Sequence, residues 1–222
     1  MKQIFQGEVY EILPLSNGII FSYCKDVIDG QVVVSFKMLS FETGRLTDVA
    51  KNIYFVTKFG NNYAPIIKCC DNYITTKSLI LPNSMVFLLL RSGEAQLIDT
   101  DGTPVWKGTL SHRGFTASDI VLYKNALWAC YSDTNALVRY NLSTMREELR
   151  IGGSNSPFNK PKNMFIDGSY VTVNNQGSKK LTQVNLDSYT TLDCEEFEFP
   201  VKQYVKADKY RFVLLDSGVY MI

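Results

Sequence analysis

Five segments of the chain share one pattern: a short apolar run, a two-residue turn, and a second apolar run. They are YEILPLSNGIIFSY, SLILPNSMVFLLL, DIVLYKNALWACY, NMFIDGSYVTV and QYVKADKYRFVLL. Their turns centre on Asn17-Gly18, Asn83-Ser84, Lys124-Asn125, Asp167-Gly168 and Asp208-Lys209. Asn, Asp and Gly suit tight hairpins because they tolerate positive φ, and the flanking Val, Ile, Leu, Phe and Tyr suit strands. A third strand follows in AQLIDTDG, ALVRYNLST and KLTQVNLDS, then a more charged fourth in VWKGTL, EELRIG and LDCEEFEF.

The spacing decides the fold class. Turn positions 83, 125, 167 and 208 stand 42, 42 and 41 residues apart. A period of about 40–45 residues with four strands per unit is the signature of a β-propeller. The last unit ends at Gly218-Val-Tyr-Met-Ile222, a third strand with no fourth, while Lys2 to Gln6 is a lone strand ahead of the first hairpin. The N-terminal strand is therefore expected to complete the last blade and leave no open edge. The first two turns, at 17 and 83, stand 66 residues apart, about 24 more than one period, and that excess is too short for another four-stranded blade. The excess is expected in a loop at Lys25 to Gly30 and in residues 45–76, read as a long outer strand plus a hairpin turning near Gly60-Asn61-Asn62. The expectation is an all-β, five-bladed propeller spanning residues 1–222 as a single domain, with a degenerate six-bladed ring as the alternative.

Blades three and four resemble the NHL-type repeat of β-propellers. The resemblance rests on Ile151-Gly-Gly153, Phe158-Asn-Lys-Pro161, Phe165-Ile-Asp167-Gly168 and Val171-Thr-Val173, and on Asp133-Thr-Asn135-Ala-Leu-Val138. It is clearest within residues 117–187; the other blades lack the Phe-x-x-Pro loop. That family has no single activity: its members bind protein or RNA, and related rings include a few enzymes. The resemblance implies a fold and not a function.

Composition narrows the function classes. A formal net charge of +1 gives no global attraction to nucleic acid or an anionic membrane. The longest apolar stretch, Met85 to Leu90, is far too short to span a bilayer, and the N-terminal MKQIFQGEVYEIL carries no secretion signal. Five cysteines (Cys24, Cys69, Cys70, Cys130, Cys194) without framework spacing fit reduced thiols in the cytoplasm. Vicinal Cys69-Cys70 reads as two core or loop thiols, with a redox pair or half a metal site as the alternative.

Chemistry is expected on the loops joining fourth strands to the next blade and second strands to third, because loops on a rigid scaffold carry function. His112 is the one histidine, with no nucleophile elbow to partner it, which is thin support for nucleophilic catalysis. No C-x-x-C or H-x-x-x-H suggests zinc. Asp26, Asp133, Asn175 and Asp216 fall at inner-strand ends and could hold a hard cation such as Ca²⁺, as in propeller lactonases, or could sit there simply as turn formers. His112, Arg113, Phe115, Phe158, Lys160 and Lys162 lie in two neighbouring loops, and aromatic and Arg side chains anchor interfaces.

The expected function is a non-catalytic binding or scaffold module with a protein partner, monomeric and without a cofactor. A Ca²⁺-dependent lactone or sugar-acid hydrolase acting on a small molecule is the first alternative. An RNA-binding propeller is the second, and no membrane partner is expected.

Overall fold

The computed structural model of the chain describes all residues except 50–55, 60–61, 66–74, 82, 91 and 102. It is all-β. Strand β1 (Lys2–Gln6) is followed by blade I: β2 (Val9–Leu15), β3 (Gly18–Ile28), β4 (Gln31–Ser40) and β5 (Leu46–Asp48). A two-stranded hairpin, β6 (Val56–Phe59) and β7 (Asn62–Pro65), precedes blade II: β8 (Thr75–Ile80), β9 (Val86–Leu90), β10 (Glu94–Ile98) and β11 (Pro104–Thr109). A second small hairpin, β12 (Ser111–His112) and β13 (Phe115–Thr116), leads into blade III: β14 (Asp119–Tyr123), β15 (Ala126–Tyr131), β16 (Ala136–Asn141) and β17 (Glu147–Gly152). Blade IV is β18 (Pro161–Asp167), β19 (Tyr170–Asn175), β20 (Lys180–Asn185) and β21 (Thr191–Glu196). Blade V is β22 (Gln203–Ala207), β23 (Tyr210–Leu215) and β24 (Gly218–Met221), with β1 as its fourth strand.

The chain is thus a five-bladed β-propeller, and the described residues of the excess after blade I form a hairpin. Closure follows the expected route. β1 pairs antiparallel with β24, Lys2 opposite Met221 and Gln6 opposite Gly218. Phe5 then packs on Phe21 and Tyr23 of blade I at ring-centroid distances of 5.0 and 4.9 Å. Gly218 is required at this seam: its φ is +134°, and a Cβ there would stand 2.0 Å from the Phe5 carbonyl oxygen.

The core lies between blades. Every residue of β15 is buried because neighbours cover both faces, whereas the outer β17 has no buried residue. Leu127, Ala129 and Tyr131 pack toward Phe87 and Leu89 of blade II. The alternate residues Trp128 and Cys130 pack toward Met164 and Val171 of blade IV. The side-chain period of two thus assigns each inner strand to two junctions at once.

Two turns differ from the sequence reading. In blade I the turn is at Ser16-Asn17, and Gly18 is already in β3, where a Cβ would meet the Leu39 carbonyl oxygen at 2.2 Å. The stretch Lys25 to Gly30 is not a loop. β3 and β4 run on together as a two-stranded arm, pairing Cys24 with Val34 and Ile28 with Gln31. Asp29 (φ 51°) and Gly30 (φ 75°) form its tip, both with positive φ as a tight hairpin of this hand requires.

Candidate functional site

The five inner strands run in the same direction around the axis, and each carries a polar residue at its first or third position: Glu11, Lys77, Asp119, Asn163 and Gln203. Hydrogen bonds fix these positions at one level. Asp119 Oδ2 accepts from the Met164 backbone N–H at 2.8 Å and from Asn163 Nδ2 at 2.9 Å. Asn163 Oδ1 accepts from the Tyr204 N–H at 3.2 Å. Gln203 spans to blade I, accepting from the Ile12 N–H at 2.7 Å and donating to its carbonyl at 2.8 Å. Each of these side chains therefore satisfies the exposed backbone of the next blade, where no ladder partner exists. Lys77 joins from blade II, its Nζ 3.3 Å from Asp119 Oδ1. Burial disfavours the Lys77 ammonium, but the carboxylates of Asp119 and Glu11 outweigh that and hold its pKa above the ordinary lysine value.

This polar ring divides the axial space. On the side where the inner strands begin is a small mouth of about 110 Å³, lined by the ring and by Ser118, Lys162 and Lys202. On the other side is a bore of about 390 Å³ with apolar walls, among them Leu13, Leu79, Val121, Phe165 and Val205. These five stand two residues beyond the ring residue of their own strand, so a polar level sits on an apolar one. Glu11, Lys77 and Gln203 line both spaces.

The mouth-side connections carry exposed apolar side chains. Val27 and Ile28 (each 56% exposed) and Val32 stand on the arm, Phe115 (46%) on the hairpin between blades II and III, and Phe199 on the link between blades IV and V. Arg113, at φ 54°, and Gly114 form the tip of the Phe115 hairpin.

Of the six residues expected at a partner surface, Arg113, Phe115 and Lys160 are exposed on mouth-side connections and Lys162 is exposed at the start of β18. Phe158 and His112 are corrected. Phe158 is 3% exposed and plugs the junction of blades III and IV with Trp128, Leu137 and Met164. Its loop folds inward because Gly152 (φ +100°) turns the chain and Ser156 Oγ donates to the Asn135 carbonyl while accepting the Phe158 N–H. His112 is 7% exposed, its ring 5.5 Å from that of Tyr131 and its Nδ1 3.4 Å from Glu147 Oε2. Beneath it Tyr131 and Tyr140 share a 2.7 Å hydroxyl hydrogen bond, and burial, with Tyr140 beside it, pushes the Tyr131 phenol far up.

The four residues expected to hold a cation are not brought together. Asp26 lies on the arm and its Oδ1 accepts from the Val27 N–H. Asp133 is exposed. Asn175 is buried, accepting from the Asn159 N–H and donating to Thr182 Oγ1. Asp216 is paired with Lys202 at 2.7 Å. Among the described residues no group of three His, Cys, Asp or Glu side chains is placed to hold a metal ion. Cys24, Cys130 and Cys194 are free thiols, with Cys130 buried, while Cys69 and Cys70 lie outside the described residues. No helix among the described residues is long and apolar enough to cross a membrane.

The polar ring escaped the sequence reading although its signal was present. Aligning the five hairpins on their first strands puts Glu, Lys, Asp, Asn and Gln in one column, each followed by a mostly apolar run.

No protein-family model matches the chain's sequence, and no curated protein sequence matches it. Solved structures do. Streptogramin B lyase superposes with a TM-score of 0.60 at 12% identity, covering 97% of this chain and 93% of that one. The WD40 β-propeller domain of Doa1 gives 0.56 at 7% identity, covering 96% and 62%. BamB from Moraxella catarrhalis gives 0.50 at 14%, covering 98% and 87%. At such identities the likeness extends to the fold alone. By its sheets and by these likenesses, this chain is a β-propeller of five blades closed by its own N-terminal strand.

Proposed function

We propose that the protein is a non-catalytic binding module, a single-domain monomer of the cytoplasm, that offers its mouth-side face to a partner protein. The observation that carries this reading is the set Val27, Ile28, Val32, Phe115 and Phe199, large apolar side chains left in water on the connections around one end of the ring. Exposed apolar groups rimmed by charge, here Arg113, Lys160 and Lys162, mark interaction surfaces. The arm adds backbone to the surface. The Cys24 N–H still donates to the Glu8 carbonyl, but beyond it no strand among the described residues pairs with this side of β3, so residues 25–28 present a strand edge that a partner strand can join. Two ionisable groups at the mouth are engaged within the protein: Asp119 ties blade III to blades II and IV, and Lys202 holds Asp216. That use supports binding over catalysis, which needs such groups turned toward a substrate.

The test is affinity capture with the intact protein. Proteins retained by the parent should be lost by a variant carrying Ile28→Asp, Phe115→Ala and Phe199→Ala, and kept by Tyr170→Ala, an exposed aromatic outside the mouth-side connections. Equal recovery with the triple variant, at unchanged melting temperature, overturns the assignment of this face.

A further inference from the structure

The bore behind the polar ring is a second site, chemically unlike the mouth. Its volume of about 390 Å³ falls in the range of small-molecule pockets, about 300–1,000 Å³. It opens away from the mouth, since Ile80 at the far end of its wall is more than half exposed. Leu13, Leu79 and Phe165 come from blades I, II and IV, and each is only half-buried although it lines the inside of the ring. Concave apolar surface of this extent gains from an apolar guest that displaces its water. The floor does not call for an ion. Glu11 and Lys77 both line it, and the Lys77 ammonium is attracted by the carboxylates of Glu11 and Asp119 together. Both ends of the Gln203 amide are bonded to Ile12. These groups answer one another within the protein. A charged head entering the bore would give up its water against partners already engaged, which is costly, and an uncharged guest avoids that loss.

We infer that the bore binds an uncharged, largely apolar small molecule that enters from the face opposite the mouth. Its body lies among Leu13, Leu79, Val121, Phe165 and Val205. A dry apolar cavity of about 150 Å³ holds one benzene ring, so the bore has room for a body of about two fused rings. This site is independent of the partner-binding face, so either assignment can fail without the other.

The probes are 2-naphthylmethanol, 2-naphthoate and 2-naphthylmethylammonium, which share a two-ring body and differ in charge. Each is titrated calorimetrically into the intact protein at neutral pH. The alcohol is expected to bind about tenfold or more tightly than either ion, with the negative heat-capacity change that marks apolar burial. Leu79→Trp and, from blade I, Leu13→Trp each fill the bore at its apolar level, and each should weaken binding of the alcohol by about tenfold or more. The variant carrying Ile28→Asp, Phe115→Ala and Phe199→Ala, changed only on the mouth side, should bind the alcohol as the parent does. An ion that binds as tightly as the alcohol, no binding of the alcohol at millimolar concentration, alcohol binding unchanged in either bore-filling variant, or binding lost in the triple variant would each overturn the site. If one bore-filling variant does not fold, the other and the order of the three probes decide.

Discussion

The carboxylate of Asp119, at the start of blade III, accepts the backbone N–H of Met164 in blade IV at 2.8 Å. The same role falls to Asn163 and Gln203 at the next two junctions, so side chain to backbone hydrogen bonds join the inner strands of blades III, IV, V and I in turn. Apolar packing between blades is non-directional, and directional bonds such as these help to fix their rotation.

Removing that carboxylate should therefore be costly. Asp119→Ala strands the Lys77 ammonium and two backbone N–H groups, and a loss of about 3–5 kcal/mol in unfolding free energy is expected. Asp119→Asn, which keeps an acceptor for Met164, should lose less. Urea titrations of the three proteins check this, and equal stability of Asp119→Ala and the parent would remove the ring from the account.

Alkaline pH should reveal the buried tyrosine pair. Tyr131 ionises near pH 10 when unfolded, while in the fold burial holds its phenol protonated well above that. A pKa raised on folding contributes stability that is full below the unfolded value and is lost as pH rises past it. Lys77, also raised, acts in the same direction through its ion pairs. The parent should lose about 1.4 kcal/mol per pH unit above pH 10 for the Tyr131 proton alone. Tyr131→Phe should flatten the curve by that amount, and identical slopes in the two proteins would contradict the shift.

Two phenylalanines from neighbouring loops should behave in opposite ways. Phe158→Ala empties part of the junction of blades III and IV and should cost about 3–5 kcal/mol. Phe115→Ala removes an exposed ring and should change stability by no more than about 0.5 kcal/mol. Thermal unfolding of the pair measures both, and a reversal would place the loops the other way round.

This contrast marks what the sequence could tell. The period of the turns, the missing fourth strand of the last unit and the lone strand ahead of the first are properties of the chain alone, so blade count and closure were legible. Phe158 and Phe115 both sit in polar loops, and local pattern cannot say which points inward. For Phe158 that depends on Gly152 and on a Ser156 bond to Asn135, 21 residues away. The arm was hidden because Lys25 and Asp26 interrupt the apolar run, although Asp29-Gly30 flanked by Val27, Ile28 and Val32 was a hairpin signal. Partnership was equally hidden: Asp216 and Asn175 occupy turn-end positions suited to ligands, and their engagement by Lys202 and Asn159 is not visible in the sequence.

Closure can be tested by deletion. Removing residues 1–6 exposes the edge of β24 and takes Phe5 from its contacts with Phe21 and Tyr23. The shortened protein should melt well below the parent and aggregate through the unpaired strand. A deletion variant as stable and monodisperse as the parent would contradict the pairing of β1 with β24.

The partner-binding face is tested most directly by site-specific photo-crosslinking in living cells. A photoreactive phenylalanine analogue is placed at position 115 on the mouth side, or at position 170 at the start of β19. Protein adducts of defined mass from position 115, absent from position 170, are the predicted result. Adducts from position 170 alone, or the same adducts at equal yield from both positions, would contradict it.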